Sequence, residues 1–135
     1  IYEGTTQMQV VAAIRHATSG FYADVMREFA EWKVSPELEY LKVRLDALVA
    51  RYEEAVNIVV EQKVQELTDL MARRLVEMAG YIIMSYLLLQ DATINAELFA
   101  TSAHLFVRWT EAEVDKHTGY ISRVNIDDLT CYRKV

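Results

Sequence analysis

The chain has 135 residues, 53% of them hydrophobic, with four glycines, one proline and a formal charge of -6. Such a length suits one compact core, and a composition so apolar and so poor in turn residues excludes a disordered tail and an all-β sandwich. The acidic balance excludes a broad surface for nucleic acid or anionic membrane, since both partners need Lys and Arg concentrated on one face.

The chain opens with Ile1-Tyr2-Glu3-Gly4-Thr5-Thr6-Gln7-Met8-Gln9. Thr6 with Gln9 three residues later has the form of a capping box, in which two orphan backbone N–H groups are satisfied reciprocally, so a helix starts there. Apolar residues recur at Ile14, Phe21, Val25, Phe29 and Trp32 with helical spacing. Ser19-Gly20 interrupts the run, because glycine costs about 1 kcal/mol against alanine inside a helix; a kink or a boundary is expected there. Two units are therefore drawn, residues 1–19 and residues 20–135.

Ser35-Pro36-Glu37 marks the next start: a serine N-cap, a proline at the first helical position and an acid in the first turn. The second helix then carries a seam of Leu41, Leu45, Leu48, Tyr52, Ala55 and Val59 in alternating steps of four and three, which calls for another helix as partner. No Gly or Pro lies between Pro36 and Gly80. The end of the second helix is placed near Glu61–Lys63, where polar residues interrupt the apolar face before it resumes at Val64, Leu67, Met71, Leu75, Met78 and Ile82; one uninterrupted long helix is the alternative. The apolar stretch from Ala79 to Leu89 is about 11 residues, short of the roughly 20 needed to span a membrane, and reads as a buried helix segment.

After the polar run Asp91–Asn95, a last stripe of Phe99, Ala103, Phe106, Thr110 and Val114 predicts a fourth helix, ended by Gly119. Segments of about 25 residues are about 40 Å long, so the expected fold is all-α: a four-helix up-and-down bundle with a short C-terminal tail. A single cysteine, Cys131, excludes an internal disulfide and fits a reducing compartment, which makes the location cytoplasmic by expectation.

Among titratable side chains, Glu3 stands in the only segment with the character of a reaction site. A carboxylate held in a dry pocket has its pKa raised towards the operating pH and can serve as a general base. Glu113 and His117, four apart on one helix, are expected to be solvated rather than to bind metal. No pair of Glu-x-x-His motifs suggests a diiron bundle. Trp32, Trp109, Tyr40, Tyr52, Tyr81 and Tyr86 are expected in core or interface packing, and Arg51, Arg73 and Arg74 in surface ion pairs.

The order aromatic-Glu-Gly-Thr, then Gln7 and later Arg15, resembles the catalytic-base segment of the FAD-dependent acyl-CoA dehydrogenases. The resemblance covers about the first 15 residues. It implies that Glu3 abstracts the α proton of an acyl-CoA thioester and that its backbone N–H helps bind the thioester carbonyl. By the same resemblance Gly4 lines the substrate site, and Thr5, Thr6 and Gln7 contact FAD at a helix start where anions are favoured. An electron-accepting flavoprotein is then the implied redox partner.

With no Met before the run, the chain is expected to be the C-terminal portion of a longer enzyme and inactive alone. Ordinary family members end shortly beyond the first helix, so the remainder is expected to be an appended helical domain, of the kind some relatives carry. Its apolar stripes exceed what a monomeric bundle hides, and a homo-oligomer is expected. The alternative reading is a non-catalytic helical interaction or oligomerisation module.

Overall fold

The computed structural model describes residues 15–124, and no strand occurs among them. Residues 15–18 are helical and end at a sharp turn, where Gly20 takes the left-handed conformation (φ 90). That conformation is accessible to glycine at little cost and clashes with a Cβ in most other residues. The hydroxyls of Thr18 and Ser19 donate back to the carbonyls of Arg15 and His16 at 3.3 and 3.2 Å, reinforcing the last turn before the break. The glycine thus breaks the backbone where the sequence places its interruption.

Helix α1 (Phe21–Ala30) follows, with Ala23 and Met26 as its buried residues. This corrects the apolar stripe expected through Phe21 and Val25, since Phe21 is exposed and rests on the His16 ring at 4.9 Å. The stripe was drawn as one continuous helical phase; a left-handed residue resets that phase and turns a different face inward. At 10 residues α1 is also far shorter than the segment of about 25 expected. Phe29 stacks on Trp32 at 4.2 Å just beyond its end.

A single 3₁₀ turn, Pro36–Leu38, leads into α2 (Glu39–Glu61). Ser35 occupies the predicted cap position in extended conformation, but its hydroxyl makes no capping hydrogen bond. Proline's fixed φ, rather than the serine oxygen, sets this start. All six residues of the expected α2 seam are buried.

Helix α2 ends where the polar interruption predicts, at Lys63 with φ 54, and α3 (Gln65–Ile94) begins two residues later. The reading of one uninterrupted helix is thereby excluded. Leu67, Met71, Leu75, Met78 and Ile82 are all buried, as expected. The stretch Ala79–Leu89 is buried on one side only, because Met84 and Leu87 face outward.

Asn95 separates α3 from α4 (Ala96–Arg123), and its side chain accepts from the N–H of Leu98 at 3.2 Å. Gly119 does not end α4, which runs on to Arg123. Burial of His117 and Ile121 on either side of the glycine holds that turn in place and outweighs its propensity cost of about 1 kcal/mol. Along the core face Val107 replaces the expected Phe106, whose ring lies partly exposed against Trp109.

Cross-helix contacts fix the directions. Tyr40–His104, Arg44–Glu111 and Arg51–Asp115 rise together, so α2 and α4 run parallel. Arg74–His117 and Ser85–Thr110 run oppositely, so α3 is antiparallel to α4. Three long helices go up, down and up, and α1 packs against α2 and α3 as the short fourth member. The all-α bundle of the sequence reading is observed.

Candidate functional site

The sequence-derived site residues Glu3, Gly4, Thr5, Thr6 and Gln7 lie outside the described residues. The described chain begins at Arg15, the last residue of that segment. Arg15 and Thr18 form one wall of a cavity of about 500 Å³, whose other wall is the α2–α3 turn with Lys63, Gln65, Thr68 and Asp69. Two cations and an acid share the lining with hydroxyl and amide groups, so the surface is polar and of mixed sign. A second cavity of about 400 Å³ opens between α2 and α4 beside Arg51, Asp115 and Thr118. Arg51 there pairs with Asp115 and donates to the Thr118 hydroxyl at 2.8 Å.

His117, 3% exposed, lies on the face of α4 that meets α3 and is the most deeply set of the described residues that titrate near neutral pH. This corrects the expectation of a solvated Glu–His pair. Nε2 lies 3.1 Å from a Glu77 oxygen and 3.8 Å from a Glu113 oxygen. Neither carboxylate lies along the N–H direction of that nitrogen, which makes these charge contacts rather than hydrogen bonds. On the other side of the ring an Arg74 nitrogen sits 3.2 Å from Nδ1. Because guanidinium only donates, Nδ1 accepts and the ring proton resides on Nε2. The Arg74 guanidinium carbon also lies 3.8 Å above the Tyr120 ring, a cation–π contact.

Burial pushes the His117 pKa below its ordinary value of 6.5; Glu77 and Glu113 oppose that shift, and Lys116 and Arg74 add to it. The native state therefore holds a neutral imidazole at pH 7. No group of three His, Cys, Asp or Glu side chains among the described residues could hold a metal ion.

The pH dependence follows with a definite sign. The unfolded chain takes up a proton near pH 6.5 while the folded one resists, so U binds more protons than N below that pH. Stability is fully present above pH 6.5 and falls as pH drops from there towards the folded pKa, by up to about 1.4 kcal/mol per pH unit for one proton. Urea midpoints of the wild-type chain and His117→Gln, compared at pH 7 and pH 5.5, should show a smaller acid loss in the variant. Equal losses would remove His117 as the source.

The remaining polar groups tie the helices together. Tyr86 donates to Asp46 at 2.6 Å, and Lys42 reaches the same carboxylate at 2.8 Å. Burial and the Asp46 hydrogen bond both push the Tyr86 phenol well above its usual range. Ser85 and Thr110 share a buried hydroxyl pair at 2.9 Å between α3 and α4. These contacts serve packing, as expected for Tyr86, and Arg51 lies in the ion pair expected of it.

No helix among the described residues is long and apolar enough to cross a membrane. Residues 18–129 match the family described as acyl-CoA dehydrogenase C terminal. The crystal structure of an acyl-CoA dehydrogenase family protein from Porphyromonas gingivalis is similar, with a TM-score of 0.80 and 38% identity over 84% of this chain and 98% of that one. No curated protein sequence matches.

Proposed function

Because the chain belongs to the acyl-CoA dehydrogenase C-terminal family, we propose that it is the C-terminal part of an FAD-dependent enzyme that dehydrogenates an acyl-CoA thioester between its α and β carbons. The observation that carries the reading is the continuity of two independent signals: the base-like run at Glu3 leads directly into the family match that starts at residue 18. In this reading residues 1–19 close the catalytic helical domain and residues 20–135 are appended to it.

Bound FAD supplies the hydride acceptor for the β carbon. This chain's part is proton abstraction by Glu3, with its N–H oriented to the thioester carbonyl, Gly4 giving the acyl group room, and Thr5, Thr6 and Gln7 contacting the cofactor. Electrons leave to a flavoprotein acceptor, and the enzyme works as a cytoplasmic homo-oligomer.

The test is direct. The full-length protein should carry the visible absorbance of bound flavin, about one FAD per chain, and should reduce an artificial electron acceptor when given acyl-CoA thioesters of graded length. Lack of both flavin and turnover with every thioester would leave the helical interaction module as the reading.

A further inference from the structure

We propose that the outward face of the α3–α4 hairpin docks on the same face of a second copy, antiparallel, about a twofold axis beside Trp109. The inference deepens the homo-oligomer reading above by giving it a surface and a register.

The face is apolar where solvent should favour polar residues. Ile94 is 77% exposed, Leu98 64%, Leu105 57% and Trp109 45%, and Met84 and Leu87 lie open beside them. Scattered exposed apolar residues are ordinary, but a contiguous patch on two adjacent helices marks an interaction site. These residues also keep a seam's spacing. On α3 the outward stripe runs through Arg73, Glu77, Gly80, Met84, Leu87, Asp91 and Ile94 in alternating steps of four and three. On α4, Leu98, Leu105 and Trp109 fall on a stripe of the same period. Helices that present such a period outward are shaped to receive other helices.

Charge selects the occupant and its direction. At one end of the α3 stripe Arg73 is exposed; at the other, by the α3–α4 turn, Asp91 is exposed. Neither has an ion pair with another described residue. A parallel twofold would leave Arg73 and Asp91 at opposite ends of the contact. An antiparallel twofold sets Arg73 against Asp91 of the copy, and the pair recurs by symmetry.

That pairing says where the axis lies. On α3 the midpoint between Arg73 and Asp91 is Ile82, and the contact of Tyr81 with Trp109, at 4.7 Å between rings, puts Trp109 within about a turn of that level. The same axis lays Met84 over Gly80 of the copy, large against small, and sets Trp109 at the centre of the contact. A central, part-exposed tryptophan of this kind is the residue type that dominates specific interfaces.

The test uses the full-length protein with Cys131→Ser as background. Arg73→Cys and Asp91→Cys chains, mixed and treated with a short thiol cross-linker, should link to each other at least tenfold more than either links to itself. Two Arg73 sites in the dimer lie about 27 Å apart at 1.5 Å per residue, beyond such a linker. Trp109→Asp should reduce linking to background with helical circular dichroism unchanged. Asp91→Arg and Arg73→Asp should each weaken association, and together restore it. Linking of Arg73→Cys to itself at the mixed rate, no linking in any mixture, or indifference to both Trp109→Asp and the charge exchange would overturn the proposal. A surface of the upstream part of the chain covering Trp109 would give that last result. None of these outcomes depends on flavin or turnover, so loss of this interface and loss of the dehydrogenase reading are separable.

Discussion

Glu3→Gln in the full-length protein should lower turnover of acyl-CoA by about 10²- to 10⁴-fold while leaving flavin content unchanged, the range that removal of a positioned general base produces. Glutamine keeps the size and the hydrogen-bonding oxygen of glutamate and loses only the capacity to accept a proton at neutral pH. Binding of substrate should therefore persist, and the loss should fall on kcat. Anaerobic mixing with substrate separates the steps: the bleaching of flavin absorbance, which requires the α proton to leave, should slow in the variant by the same factor. A variant that bleaches at the wild-type rate would remove Glu3 as the base and leave the family membership standing. A variant that loses flavin would instead point to a structural duty for this position.

That proposal rests on the sequence alone, because everything it needs is local. Glu3, Gly4 and the Thr6–Gln9 pair fall within seven residues in a fixed order. The acyl chain preference was not legible, since the shape of a pocket depends on residues far apart in sequence. His117 illustrates the same limit. Four residues from Glu113 on a helix, it has the appearance of a solvated pair, and what buries it is α3, with Arg74 and Glu77 reaching it from 43 and 40 positions away (117 − 74 and 117 − 77). No local pattern carries that information.

The helices divide along similar lines. The seams of α2 and, from Leu67 on, of α3 were legible, because uninterrupted periodicity over several turns admits one buried face; Val64, expected to open the second seam, is instead the half-buried, extended N-cap of α3. The α2–α3 turn was legible only as a lapse in that periodicity; the left-handed residue it uses is Lys63, where the expected type would be glycine. Conversely Gly119 looked like a stop and is not one, since its neighbours are anchored. Glycine marks where the backbone is free to turn, and packing decides whether it does. The phase of α1 was lost for the opposite reason: Gly20 does turn, and a stripe carried across it points the wrong way.

The weight of those seams gives the second large effect. Leu75→Ala should destabilise the chain by about 2–5 kcal/mol, because a wholly buried leucine loses both its transfer energy and the contacts around the cavity it leaves. Leu75 sits near the middle of α3 within the central core cluster, where neighbours on α2 and α4 are held by their own helices and have little freedom to collapse inward. Total stabilities of domains are about 5–15 kcal/mol, so this one change removes a large share. The Tm should fall by on the order of 10 °C. Val43→Ala supplies the contrast: on α2, 64% exposed, it should cost within about 0.5 kcal/mol. Urea unfolding of the two variants beside wild type measures the difference. Equal midpoints for Leu75→Ala and Val43→Ala would mean that α3 does not bury this face, and the bundle as described would fail with it.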